Sequence, residues 1–543
     1  MASPTTGGKI VRNSFWWGLE TSIEMLVMLA SSIAVARYLG PQKLGYFSSV
    51  MFPVSVISLA GGNGLAVATR KYMAEVLGQD RPGLAHAIYK FTHRYQAVGA
   101  VVLATLGMIG VLLAMPAGYK LMAAVIVASI IPGLLSWIPA QANLAFEDAA
   151  ANARSAFGYI AAYLTVIILT IWMKWDLVGI ASALFVGRTV EVVLRTIPLN
   201  RRMKQLPFEP LPSELKRKIK RFCAQAMAIQ FLTSIVWDRS EIFFLTAFSG
   251  MLQVAFYSVS AGLVDRLLLL PKAFSNAAGI SLMAESARDS KRAGVIVHST
   301  VRFLLLVALP LHIGAAIVTR QAIAVAYGVR YLPAVPVMIV ATLLCIPRAL
   351  QLLPDTMMRS ADRQSDLIRC MIIVAILNIS ADLALIPHYG AIGAAWGNGL
   401  SQMVGIGLLW WYARRSYAFE WPWRSIFRII AASLVMAAVT YPVSRLIHNS
   451  ALSLIASIAV AVPTYLWMIR LFHALDPYDY WRLIMLGKRL PQKPFNLYNS
   501  AVKFVVPDFL LAPKGVPAGA HPEPLDIEPL ELTLDEQKMG ASR

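Results

Sequence analysis

Residues 39–49, "LGPQKLGYFSS", return later in the chain as residues 248–260, "FSGMLQVAFYSVS", with Gly40 falling on Gly250 and Ser48 on Ser258. At nearly the same offset, about 210–215 residues, "IPGLLSWIP" (131–139) falls on "IPRALQLLP" (346–354). That alignment pairs Pro132 with Pro347 and Pro139 with Pro354. Glu147 then meets Asp362, Arg154 meets Arg369, and Gly179 and Ala181 meet Gly393 and Ala395. Each match is weak alone. Their conserved order and near-constant spacing indicate an internal repeat.

The medium in which the repeat folds follows from composition. The chain has 543 residues, 57% hydrophobic and 14% charged, with a mean hydropathy of +0.61. Soluble domains carry about 25% charged residues. Apolar runs near the roughly 20 residues that span a bilayer occur at about 14–36, 45–68, 94–115, 121–143, 157–174, 177–199 and 222–247. Others occur at about 253–280, 300–319, 334–354, 368–387, 391–413, 425–445 and 451–472. The expectation is an all-α, polytopic membrane protein of about fourteen transmembrane helices. Residues 1–215 form a first six-helix half with a basic linker, 216–420 a second half, 421–472 two further helices and 473–543 a cytoplasmic tail. Halves in the same orientation are related by an axis along the membrane normal and place a substrate site between them near mid-membrane.

Charge sets the orientation. Lys and Arg crowd alternate loops, most densely in "NRRMKQLPFEPLPSELKRKIKRF" (200–222), and the opposite loops are nearly bare. The positive-inside rule then places both termini in the cytoplasm. The net charge of +20 is thus a topology signal, with no nucleic-acid footprint. Pro207, Pro210 and Pro212 interrupt the long basic loop before "SELKRKIKRF", expected to be a short amphipathic helix on anionic headgroups. The N-terminus reads as a first membrane helix without a cleavage site. Cys223, Cys345 and Cys370 read as small buried side chains. The Pro-rich, then acidic, end of the tail is expected to be disordered.

Against this background "VWDRSEIFF" (236–244) is anomalous, since each charge at the centre of a membrane helix costs about 2.5–3.5 kcal/mol on insertion scales. Gln230, Ser234, Asp238 and Glu241 recur at helical spacing and share a face, with Arg239 turned aside. Asp265, Arg266 and Lys272 follow on the next helix; Glu20 and Glu24 lie on the first. Arg188, Glu191 and Arg195 lie on the sixth, Arg348 and Asp355 on the tenth, Asn378 and Asp382 on the eleventh. Lipid does not accommodate so many ionised groups, so they face the bundle interior or a wet cavity. Two readings stand: Asp238, Arg239, Glu241, Asp265, Arg266, Arg188 and Arg348 line a cavity, or Asp238 and Arg239 simply pair with Arg266 and Asp265. Arg195 and Lys272 are expected to snorkel toward an interface. Guanidinium groups at depth suit phosphate oxygens, and Glu20 and Glu24 suit a coupling proton or Na+.

Several activities lack their signatures. There is no nucleotide-binding G-x-x-x-x-G-K-[ST], no H-E-x-x-H, no G-x-S-x-G and no clustered metal ligands. No cofactor or metal is expected. "DRPG" (80–83) keeps only the core of the major-facilitator loop motif, with Val76 and Leu84 at its other positions, and reads as a surface turn. A membrane glycosyltransferase or polymerase needs carboxylates or arginines in large outer loops. The longest outer loop, "RQAIAVAYGVRYLP" (320–333), has no carboxylate.

"ARYLGPQKLGYFSS" (36–49), through Ala36, Arg37, Leu39, Gly40, Pro41, Gly45 and Tyr46, resembles the helix 1–2 turn of the polysaccharide-transport flippases. That family belongs to the multidrug/oligosaccharidyl-lipid/polysaccharide exporter superfamily. "AFYSVSAGL" (255–263), "AYGVRYLPAVPVM" (326–338) and "YGAIGAAWGNGLSQ" (389–402) are similar to its second half. The resemblance implies a bacterial inner-membrane protein, not an enzyme, that moves a polyprenyl-pyrophosphate-linked oligosaccharide to the periplasmic leaflet for exopolysaccharide, O-antigen or capsule synthesis. It also implies ion coupling by H+ or Na+, contact with membrane lipids and association with polymerase or export machinery. Two features depart from the pattern. Helix 1 is acidic, as in drug exporters of the superfamily, and the fourteen-helix count matches the lipid II flippases, whose helix 1–2 region is not found here. A multidrug cation antiporter, a lipid II flippase and, from a different class, a membrane glycosyltransferase or polymerase therefore stand as alternatives.

Overall fold

The computed structural model describes residues 6–237, 240–286, 290–361, 363–415 and 419–475. Among these residues there are helices and turns and no strand. The helices are α1 (Thr6–Gly78), α2 (Pro82–Ala114), α3 (Lys120–Ala128), α4 (Ile130–Ala145), α5 (Ala149–Met173), α6 (Asp176–Lys204), α7 (Ser213–Trp237), α8 (Glu241–Phe248) and α9 (Met251–Leu267). They continue as α10 (Leu269–Ser286), α11 (Ser290–Ile317), α12 (Thr319–Ala326), α13 (Val335–Leu344), α14 (Leu352–Ser360), α15 (Gln364–Ala413), α16 (Trp423–Leu446) and α17 (Ser450–Leu471).

Among the described residues ten helical stretches are long and apolar enough to cross a membrane, or eleven if α9 and the start of α10, bent by 41°, form one span. This is a multi-pass membrane protein. Two of the ten are longer than one crossing, because α1 turns at Gly40 (φ 73°, ψ 170°) and α15 at Gly390 (φ 56°, ψ −133°). The expectation of about fourteen spans divides each of these in two. The Gly40 turn has a simple local cause. Glycine accepts the positive φ without a Cβ clash, and Pro41 begins the next segment without an N–H needing a partner.

The basic segment "SELKRKIKRF" is the opening of α7, which continues into apolar residues, so it is not a separate short helix. Within the expected span 222–247 the described residues give α7 up to Trp237 and α8 from Glu241. Asp238, Arg239, Asp362 and the tail beyond residue 475 lie outside the described residues, as does the side chain of Glu20.

Close backbone approach holds α1 against the later helices. A methyl on Gly45 would stand 1.9 Å from the Met251 carbonyl oxygen, and one on Gly64 would stand 2.6 Å from the Cys223 carbonyl oxygen. Only glycine permits such contacts, the usual device where helices pack in lipid. Around the Gly40 turn the Tyr331 hydroxyl donates to the Ala36 carbonyl at 2.8 Å, and Arg37 donates to the carbonyls of Val325 and Ala326 at the end of α12. Gln321 of α12 in turn donates to the Ser444 carbonyl at 2.6 Å and reaches Ser453 at 3.3 Å, tying α12 to α16 and α17. Leu113, Ile168, Trp172, Ile455 and Trp467 remain exposed, the outer surface of a bundle bathed by lipid and not water.

Candidate functional site: a charged cavity backed by buried carboxylates

A cavity of about 640 Å³ opens between the second segment of α1 and helices α8, α9, α10, α13 and α15. Phe47, Met51, Phe52, Val56 and Leu59, with Ser48 and Ser55 between them, form its α1 wall. The facing wall carries Tyr257, Asp265, Lys272, Arg348, Asn398 and Gln402. Arg348 stands 3.3 Å from Asp265, with its side chain about 13% exposed against 38% for Asp265. Of the described ionisable residues, the cavity is thus lined by two cations and one acid, and the acid is already engaged.

Behind this wall lies a second polar group. Glu241 at the start of α8 is fully buried. It accepts from the Tyr257 hydroxyl at 2.8 Å, from Asn378 at 3.2 Å and from Asn398. Asp382, one helical turn beyond Asn378 on α15, is fully buried as well and lies within electrostatic reach of Glu241. Neither oxygen of Asp382, nor the side-chain oxygen of Asn378, has a hydrogen-bond partner. Buried acceptors are ordinarily satisfied, and each exception asks for a missing donor or ion. Two buried carboxylates and an amide oxygen are the donor types that suit a small hard cation. Gly397 admits Asp382 to this position, since a Cβ there would stand 3.2 Å from its Oδ1.

The residues singled out from sequence divide into three groups. Asp265 and Arg348 come together on the cavity wall. Glu241 sits behind it. Arg188 belongs elsewhere: it pairs with Glu191 at 2.7 Å and stacks on Tyr159 with its guanidinium carbon 4.5 Å from the ring centre. Glu24 lies within electrostatic range of that arginine. Arg195, expected to snorkel, does not. Arg195 is buried against Glu191 at 2.8 Å and donates to Ser155 at 3.0 Å, and Lys272 lines the cavity. The proposed pairing of Arg239 with Asp265 and Asp238 with Arg266 falls on residues outside the described set. Asp265 takes Arg348, and Arg266 donates to the Gly262 carbonyl.

Sequence reasoning missed Tyr257, Asn398 and Gln402 and gave Asp382 no role. The i, i+4 spacing of Asn378 and Asp382 was the available signal.

A family model described as "Polysaccharide biosynthesis protein" matches residues 34–336. The chain belongs to this polysaccharide biosynthesis family. No curated protein sequence matches it. Among solved structures, family membership is accompanied by similarity to the lipid II flippase MurJ in an inward closed conformation, with a TM-score of 0.66 and 15% identity over 84% of this chain and 98% of that one. An inward-facing multidrug resistance MATE family transporter of the MOP superfamily gives a TM-score of 0.62 and 15% identity over 72% of this chain and 93% of the other. A MOP superfamily transporter from Pyrococcus furiosus gives 0.54 and 14%, over 75% and 95%. The family member described here therefore has the fold of these transporters.

Proposed function

We propose that this protein is a bacterial inner-membrane flippase, not an enzyme. It would move a polyprenyl-pyrophosphate-linked oligosaccharide from the cytoplasmic to the periplasmic leaflet by ion-coupled alternating access. The proposal takes residues 1–215 and 216–420 as two six-helix halves around the cavity, with both termini cytoplasmic. Polymerase and export machinery would take up the delivered units.

The observation that carries this reading is the charge on the cavity wall. Arg348 and Lys272 supply donors to a pyrophosphate, and the only described acid among the lining residues, Asp265, is held by Arg348. That balance favours an anionic head over a cationic drug. Charge-assisted bonds to phosphate oxygens are roughly twice as strong as neutral ones. A cavity of about 640 Å³ is in the range of small-molecule sites, about 300–1,000 Å³, so a pyrophosphate and its first sugars would fit while the prenyl chain stays in lipid.

Coupling would use Glu241, Asp382 and Asn378; the unsatisfied oxygens of Asp382 and Asn378 suit Na+ or a proton. This moves the proposed coupling site from Glu20 and Glu24 to α8 and α15. The test is complementation in a strain lacking the gene. Wild type should restore surface polymer. Arg348→Ala, present in the membrane at normal level, should leave lipid-linked repeat units in the cytoplasmic leaflet. Full polymer output from Arg348→Ala together with Lys272→Ala refutes the reading.

A further inference from the structure

Two of the side chains that donate to Glu241 also form the cavity wall. Tyr257 gives its hydroxyl proton to Glu241 at 2.8 Å. Asn398 gives an amide N–H to the same carboxylate and lies 3.3 Å from the Tyr257 hydroxyl. Both line the cavity beside Asp265 and Arg348. Asn378, the third donor to Glu241, does not line it. The buried carboxylates and the cavity thus share a partition one side chain deep.

The donor inventory makes this partition a switch. A phenol has one O–H and an amide two N–H groups, so a proton given to Glu241 is withheld from anything in the cavity. A cation seated between Glu241 and Asp382 competes for the same carboxylate oxygens and repels the positive ends of the O–H and N–H dipoles. The nearest alternative acceptor is then an anionic oxygen in the cavity.

We infer that Tyr257 and Asn398 are positioning residues that make cation binding and anionic-head binding reinforce each other. This rests on the coupling-site reading given above. Reinforcement is reciprocal, because a coupling free energy belongs to the pair of ligands and not to either one. Direct attraction between cation and anion has the same sign but does not need these two side chains. The contribution passing through them is therefore separable by substitution.

The experiment uses the purified full chain in detergent, with farnesyl pyrophosphate as anionic probe. Its Kd is measured with sodium, and with choline at equal ionic strength, and then across pH in choline. Cation binding is followed separately as a rise in Tm. In wild type, saturating cation should tighten the probe by at least about fivefold, the lower end of ordinary allosteric coupling. Tyr257→Phe, which removes one oxygen and keeps the ring, and Asn398→Ala should each still bind probe and cation. In the double variant the factor should fall below about twofold.

A double variant with the full wild-type factor overturns the inference and leaves the cation site standing. Loss of probe binding by Tyr257→Phe even without cation also overturns it, since the hydroxyl would then be a direct ligand contact. Asp382→Asn tests the underlying reading instead: an unchanged cation-induced rise in Tm sinks the coupling site itself.

Discussion

Arg37 and Ala326 lie 289 positions apart in sequence, yet the arginine Nε donates to that alanine's carbonyl at 2.7 Å. The carbonyl belongs to the last turn of α12, where helix carbonyls lack intrahelical partners and a cation is favoured. With Tyr331 reaching back to Ala36, the contact latches α1 to the α12 region on one side of the cavity.

Arg37→Ala should weaken this latch. At this solvent-exposed position the contact should contribute about 0.5–1.5 kcal/mol, enough to shift an opening equilibrium severalfold. Cys345 lines the cavity and is nearly inaccessible, so it serves as a native reporter once Cys223 and Cys370 are replaced by serine. Labelling of Cys345 by a membrane-impermeant maleimide from the side of the membrane on which the Gly40 turn lies should rise by about that factor. An unchanged rate from that side would show that the latch is not a gate.

Gly45→Ala should destabilise the protein by about 1–3 kcal/mol, the usual range for overpacking, because the added methyl meets the Met251 backbone and not a movable side chain. Gly110→Ala, whose methyl would meet nothing within 4 Å, should leave Tm the same or higher. Thermal unfolding in one detergent compares them directly, and equal Tm values would contradict the packing described.

Glu191 lies between Arg188 and Arg195 at 2.7 and 2.8 Å. Replacing it with glutamine leaves buried Arg195 without its counter-charge. Removing one partner of a buried pair costs about 3–5 kcal/mol. Membrane yield and Tm of Glu191→Gln should therefore fall sharply, whereas Glu24→Gln should fall little. The reverse order would assign this cluster a different role.

Much of this arrangement was legible before any coordinates, and what was not has a physical reason. Gly40 and Gly250, aligned by the internal repeat, adopt nearly the same backbone conformation, φ 73°, ψ 170° and φ 85°, ψ 166°. A positive φ combined with ψ near 170° is open essentially to glycine alone, so the sequence carries that feature openly. The inward charges were legible because lipid forbids them. Their partners were not. Glu241 is satisfied by Asn378 and Asn398, 137 and 157 residues away, and helical spacing reports which face a residue occupies but never what stands opposite. Hence Arg195, read as snorkelling, proves to be half of an internal pair.

The unequal walls of the cavity have one more implication. Phe47, Met51, Phe52, Val56 and Leu59 make the α1 wall mainly apolar, with only the hydroxyls of Ser48 and Ser55 among them, and Asp265, Lys272, Arg348 and Gln402 stand across from them. Such a chamber is polarised, like a keyed socket. A guest with one acidic end and a greasy stem seats best in one attitude, acid toward Lys272 of α10 and Arg348. Tumbling inside would set its acid against phenylalanine. The guest would therefore leave facing the way it was held, and its orientation on release would be fixed by the asymmetry of the container before any helix moves.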